Sequence, residues 1–470
     1  MKDEIKAEFV ELYFRAFKKA VSYIAISKKT NEYISQHYKF PKTDFFNNGF
    51  PYFTYHLFSD NPPIQYSYIF RTWSKYYFRE DKEFLKLRDF VQRIDYLNKY
   101  FDLELETELS PGEEGFYLYQ NLIKFTEYYI HVSNNKNAVR KTFYKLFTPF
   151  LNSIYLEKLP LSICFPIPII KFSFSELRIS KNILFKRIPE SIQILRNDVS
   201  ASNSDHNTLC GAATHYLVLQ NWNLTNPKDK WSLHSTLTNK NSFDEAIELA
   251  KNFLAALRLE TGRKTGLVQL LTIPFGWATD WTAHLENIYR LNMNEYNYDI
   301  LNGGWNTKQN KIDENQFLKI CATYNKINMI NENSFKLSLD RFNDHYTRKR
   351  ERDKIIDITT ALESLLTNDS RSEITYRLSN RIAILFQNHN IKSYSSSDVF
   401  DIVKKVYDFR SAIIHGESKL AKKRTITISS LKELPTVEIA NNILKEILKI
   451  EIENEGVFKP TEIDKMLLTC

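Results

Sequence analysis

The stretch YDFRSAIIHG, Tyr407–Gly416, decides how the last third of this chain is read. Together with the SSSDVFDIVKK before it, it carries apolar residues at helical spacing. At about 100° per residue, Val399, Ile402, Val403, Val406 and Ile413 share one stripe. Asp401, Lys404, Lys405 and Asp408 fall on the opposite face. Arg410 falls near the middle of the apolar stripe, where the pattern asks for Leu or Ile. An unpaired buried guanidinium is costly, so Arg410 needs a carboxylate, a path to water along its own stem, or a ligand. His415 lies five positions on, about 140° round a regular helix, so periodicity does not put the two on one face. Gly416 suits a helix end, which places His415 in a last, distorted turn. Arginine's reach or a second subunit would then be needed to bring both groups to one phosphate.

Working outward, Asp398 or a serine just before it is the natural N-cap of this helix. From about residue 335 the pattern is helical to the end: LDRFNDHYTRKRERDK, IIDITTALESLL, ITYRLSNRIAILF and TVEIANNILKEILKIEI, with a basic loop, KLAKKRTITIS, between. The segment 151–330 reads as α+β. LSICFPIPII, ILFKRI, SIQILR, HYLVLQNWNL and LVQLLTIPF suggest strands, and DEAIELAKNFLAALRLE a helix. Residues 1–150 read as mostly helical, starting with an amphipathic helix over 1–30. An aromatic-dense region follows, whose rings are read as core packing rather than base-stacking platforms. The expected fold is α+β overall and mainly helical, in three parts: 1–150, 151–330 and a helical bundle over 335–470.

Composition narrows the function classes. At 470 residues with 43% hydrophobic content, an ordered globular chain of two or three domains is expected. No apolar run is long enough to span a bilayer, and the N-terminus lacks the apolar core of a signal peptide, so no membrane partner and a cytoplasmic location are expected. The four cysteines are scattered without a CxxC pair, against a disulfide framework. The net charge of +8 is a mild hint of a polyanionic partner, discounted by a Lys/Asn/Ile bias that AT-rich coding would give.

Other candidates are weaker. Glu363 lies near the edge of the stripe centred on Ile355, Ile358, Leu362 and Leu366, and reads as a structural ion pair with Arg377, Arg381 or Arg410. Asp408 reads as solvated, with an orienting role as the alternative. His206, Cys210 and His215 match no standard zinc spacing, so no metal and no cofactor are expected. TGRKTG at 261–266 lacks Walker spacing and reads as a basic turn between helix and strand.

DRFNDHY followed by IIDITTALESLL, YRLSNRIAILF, VYDFRSAIIHG and the late helix before EIDKMLL resembles the Apea-like group of the HEPN superfamily over roughly the last 135 residues. Ribonuclease members of that superfamily carry Arg, four to six residues, then His; here the match is Arg410, SAII, His415. The resemblance implies a metal-independent endoribonuclease that acts as a homodimer on RNA, two Arg–His pairs lining one cleft, and with it the apolar stripe of Val399–Ile413 is expected to be a dimer seam. It assigns Arg410 to the scissile phosphate and His415 to proton transfer. Ser411 departs from the Asn, Asp or His usual after the arginine. The group's members act as toxic effectors in anti-phage defence and abortive infection, so residues 1–330 are expected to sense a phage-derived trigger or restrain the nuclease. Two alternatives stand beside it: a non-catalytic HEPN dimer binding RNA, a nucleotide or a protein, and a small-ligand sensor dimerised by the bundle.

Overall fold

The structure, a computed structural model, describes residues 2–29, 36–37, 40–55, 61–70, 78–103, 116–134, 137–197, 205–296, 311–367, 373–415, 423–427 and 433–466. The turn PGEEG, the loop NGGWNTKQN, Gly416 and Cys470 lie outside the described residues.

Helix α1 (Lys2–Lys29) opens the chain. Phe9, Tyr13, Phe17, Ala20 and Ile24 recur along one face of it and are buried. The antiparallel hairpin β1 (Pro41–Phe45) and β2 (Pro51–Tyr55) follows, and the sequence reading missed it. Next come α2 (Lys82–Arg93), α3 (Asp95–Phe101), α4 (Phe116–Ser133) and α5 (Arg140–Tyr155). Their aromatic faces converge on α1: Tyr13 sits 4.3 Å from Phe147 and Phe17 4.8 Å from Tyr129, centroid to centroid. Most of the described aromatic residues of this region build a core, as the packing reading expects, while Phe45 stays exposed.

The middle of the chain runs β3 (Lys158–Pro168), β4 (Lys171–Phe172), β5 (Glu176–Ser180), β6 (Ile183–Arg187), α6 (Glu190–Leu195), α7 (Asp205–Gly211), β7 (Ala213–Thr225), α8 (Lys230–Thr238) and α9 (Asp244–Thr261). It continues through β8 (Leu267–Pro274), β9 (Trp281–Thr282), β10 (Leu285–Glu286), β11 (Tyr289–Glu295) and β12 (Lys311–Ile312). Six strands form one sheet in the order β11-β8-β3-β7-β6-β5, with β3–β8, β5–β6 and β6–β7 antiparallel. SIQILR corrects the strand expectation: it is helix α6 and its C-cap. Pro189 as N-cap and Glu190 in the first turn are helix-start signals that its apolar content masked. The α6 C-cap residue Arg196 is fully buried, and its fork donates to Gln193, Gln269 and the carbonyls of Cys210, Gly211 and Ala213. Among the described residues its hydrogen-bond acceptors are all neutral oxygens, with the Phe53 ring 5.1 Å from the guanidinium carbon.

The last part holds α10 (Glu314–Ile327), α11 (Asn333–Thr347), α12 (Glu351–Leu366), α13 (Ile374–Asn388) and α14 (Ser396–His415). After these come the hairpin β13 (Thr425–Thr427) and β14 (Glu433–Pro435), then α15 (Thr436–Glu453) and α16 (Pro460–Met466). The hairpin corrects the all-helical expectation. Its strand β13 is the β-branched run Thr-Ile-Thr, with Ile426 buried.

By its internal contacts the chain forms two compact units: Met1–Pro166, Glu176–Phe243 and Gln269–Met293 in the first; Ile167–Ser175, Asp244–Val268 and Asn294–Cys470 in the second. The fold is mixed α+β and mainly helical. The first unit holds the aromatic core and nearly all of the sheet. In the second, α11 packs on α9 and α12, α12 on α14 and α15, and α13 on α14 and α16. Two charge clusters fix these helices. Buried Asp357 accepts from Arg341 at 3.1 Å and Arg348 at 2.6 Å, tying α12 to α11 and its C-cap. Arg381, also buried, forks onto both oxygens of Asp464 at 2.7 Å and reaches the carbonyl of Leu366.

Candidate functional site

Helix α14 starts on a cap of the expected kind, supplied by a serine. Ser395 Oγ accepts from the Asp398 N–H at 3.1 Å and donates to Asp398 Oδ2 at 2.6 Å. The helix is regular through His415, so the last turn is not distorted as expected. Val399, Ile402, Val403 and Val406 are each at most 2% exposed. Because α12, α13 and α15 of the same chain pack on α14, the stripe is core and not a dimer seam. The last member of the stripe, Ile413, is only half-buried, and its neighbour Ile414 is 55% exposed.

Arg410 escapes the core sideways. Its side chain keeps 28% exposure and its Nη1 lies 3.2 Å from Oε1 of Glu363 on the last turn of α12, itself 22% exposed. Of the three arginines considered for Glu363, Arg410 makes the contact, while Arg381 takes Asp464. The pair is close but poorly aligned. Neither Arg410 Nε nor Glu363 Oε1 makes a hydrogen bond with a described residue. Tyr407, one turn back, places its ring 5.8 Å from the guanidinium carbon and donates to the Thr359 carbonyl at 3.5 Å. Burial first, then the Glu363 charge, pushes the Tyr407 phenol well above its ordinary range, so it stays protonated.

Ser411, Asp408 and His415 are exposed. The backbone carbonyl of Asp408 accepts from Lys423 Nζ at 3.5 Å, and neither Ser411 nor His415 makes a side-chain hydrogen bond with a described residue. Lys423 belongs to the basic segment LAKKR, of which 420–422 lie outside the described residues. On a regular helix Arg410 and His415 project about 140° apart and stand about 7.5 Å apart along the axis. One chain therefore does not bring them together. The helix end instead presents a partly exposed cation, an exposed imidazole and an exposed isoleucine.

Elsewhere, His215 is buried, stacked 5.8 Å from Phe185 with its Nδ1 2.9 Å from Thr214 Oγ1. The side chain of His206 lies outside the described residues. Among the described residues no group of three or more His, Cys, Asp or Glu side chains could hold a metal ion. Among the described residues, no helix is long and apolar enough to cross a membrane. TGRKTG is the turn from α9 to β8. The sequence reading missed the Asp357 and Arg381 clusters. The signal was available: each is a charge within an apolar helical pattern, as Arg410 is. Comparison with family models, with curated proteins and with solved structures gives no match.

Proposed function

We propose that this chain is a metal-independent endoribonuclease of the HEPN type, a toxic effector of anti-phage defence. The observation that carries this reading is the end of α14. There Arg410, held at a core edge with its side chain 28% exposed, stands nearly one and a half turns from an exposed His415. A guanidinium suits the charged oxygens of a scissile phosphate. An imidazole suits proton transfer near neutral pH. In the reaction the ribose 2′-oxygen bonds to phosphorus as its proton passes to His415. The bond from phosphorus to the 5′-oxygen breaks, and that oxygen takes up a proton. The products are a 2′,3′-cyclic phosphate and a 5′-hydroxyl. Because the two side chains diverge on one helix, the cleft is composite: two copies meet around Ile414 and the ends of their α14 helices.

A second reading has one observation in its favour. Arg410 already lies against a carboxylate and an aromatic ring, which suits a non-catalytic bundle that binds RNA, a nucleotide or a protein partner. The two separate in cells that express wild type, Arg410→Ala or His415→Ala, with and without phage, by mapping RNA 5′ ends. The nuclease reading expects cutting by wild type alone. Intact RNA under every trigger favours the binding module.

A further inference from the structure

The turn TGRKTG fails as a Walker loop, yet it borders a cavity of about 430 Å³ within the second unit. Gly262 and Lys264 form one wall, the first turns of α12 and α15 the others, with Tyr346 between. Along α15 the polar residues Glu438, Asn441, Asn442 and Lys445 follow the i, i+3, i+4, i+7 spacing of a single helical face, and all four line the cavity. Gly262 adopts φ +66°, and a Cβ there would stand 3.5 Å from Lys445 Nζ, so the turn's backbone and the ammonium head share one wall.

Three lysines gather at the cavity. Lys264, Lys354 and Lys445 line it, and neither Lys264 nor Lys445 has an ion pair among the described residues. Behind Tyr346, 4.5 Å from its ring, lies Arg258, 1% exposed; burial pushes its guanidinium down to about 10, still charged at neutral pH. Arg258 donates to the Thr265 carbonyl and to Asn343 Oδ1, which stiffens the turn from beneath. Desolvation drives the lining His345 well below its ordinary range, so it is neutral and adds no charge. The first-turn N–H groups of α12 and α15 add positive potential. The cavity is not uniformly basic. Glu351, 3.6 Å from Arg424, and Glu438 also line it, and the buried Oδ1 of Asn441 accepts no hydrogen bond from a described residue. Carboxylates and carboxamides are the groups that read hydroxyls.

We propose that this cavity binds a small organic phosphate bearing hydroxyl groups. The phosphate would lie between Lys264 and Lys445 and the hydroxyls against Glu438, Asn441 and Asn442. A continuous RNA backbone fits less well, because Glu351 and Glu438 would repel successive phosphates. The site is separate from the α14 end. Glu351 and Glu363 are twelve residues apart on α12, about 18 Å along its axis. It does not depend on the reading of Arg410 and His415.

The test is calorimetric titration of the full chain with ribose 5-phosphate, inorganic phosphate, ribose and a short RNA, each up to about 10 mM where solubility allows. The expected order is ribose 5-phosphate above phosphate above ribose. Lys264→Ala with Lys445→Ala should weaken ribose 5-phosphate binding by about tenfold or more. The matching Lys→Arg pair should retain it, and Arg410→Ala should bind as wild type. Absence of binding by correctly melting wild type overturns the proposal. So does equal binding by the double alanine variant, ribose binding as tightly as its phosphate, or RNA binding that exceeds ribose 5-phosphate binding in Arg410→Ala and is lost when Lys264→Ala and Lys445→Ala are added.

Discussion

Glu451→Gln should flatten the pH dependence of stability of the second unit. Glu451 sits near the end of α15 with no exposed surface. Its Oε2 accepts from the Phe458 N–H at 2.9 Å and its Oε1 has no partner among the described residues. Desolvation dominates and Glu332 adds repulsion, against the pull of the Phe458 bond, so the carboxyl is raised from 4.5 to about 8. The folded state therefore holds this proton more tightly than the unfolded chain does. The contribution is fully present below about pH 4.5 and is lost as pH rises to about 8. At about 1.4 kcal/mol per unit, the loss between pH 5 and pH 8 is about 3 kcal/mol. Glutamine does not titrate, so the variant should gain on wild type by that amount over the same interval. For a unit of this size the melting temperatures should diverge by on the order of 10 °C. Thermal melts of both proteins at pH 5, 6, 7 and 8 read this directly. Parallel curves would refute the burial argument.

Other perturbations follow from the same packing. Arg381→Ala removes the fork on Asp464 and one bond to the Leu366 carbonyl, for a loss of about 2–3 kcal/mol, and hydrogen exchange should show it first in α16. Hydrogen bonding from Arg381 holds the Asp464 carboxyl below its usual range, a stabilisation present above the unfolded pKa and lost as pH falls. That acid-side loss should vanish in the variant. A double-mutant cycle of Arg410→Ala with Glu363→Ala should give a coupling of only about 0.5–1 kcal/mol, because both groups are partly solvated and poorly aligned. A coupling above about 3 kcal/mol would make Arg410 a structural anchor.

Periodicity made much of this chain legible. The stripes read for α12 and α14 are buried except at Ile413, the helix expected over 1–30 is α1, and β3, β7 and β8 stand where strands were expected. Periodicity failed where a short apolar run could serve either geometry. SIQILR became α6 because Pro189 and Glu190 start a helix, which strand-like composition does not register. It also failed for partners distant in sequence. Arg410 was visible as an anomaly, but Glu363 was one of several carboxylate and arginine pairings that spacing allowed. The Lys264–Lys445 cavity was invisible, because its walls come from a turn and helices nearly 200 residues apart. The apolar stripe of α14 misled most. An amphipathic face looks the same whether it is covered by its own chain or by a second copy, and here its own chain covers it.

The most direct measurement is cleavage of RNA by purified protein in the presence of chelator, with the end groups identified. The account predicts that wild type leaves 5′-hydroxyl and 2′,3′-cyclic phosphate ends, and that Arg410→Ala and His415→Ala, each melting like wild type, leave the RNA intact. Cleavage that survives both substitutions, or that leaves 5′-phosphate ends, would contradict it.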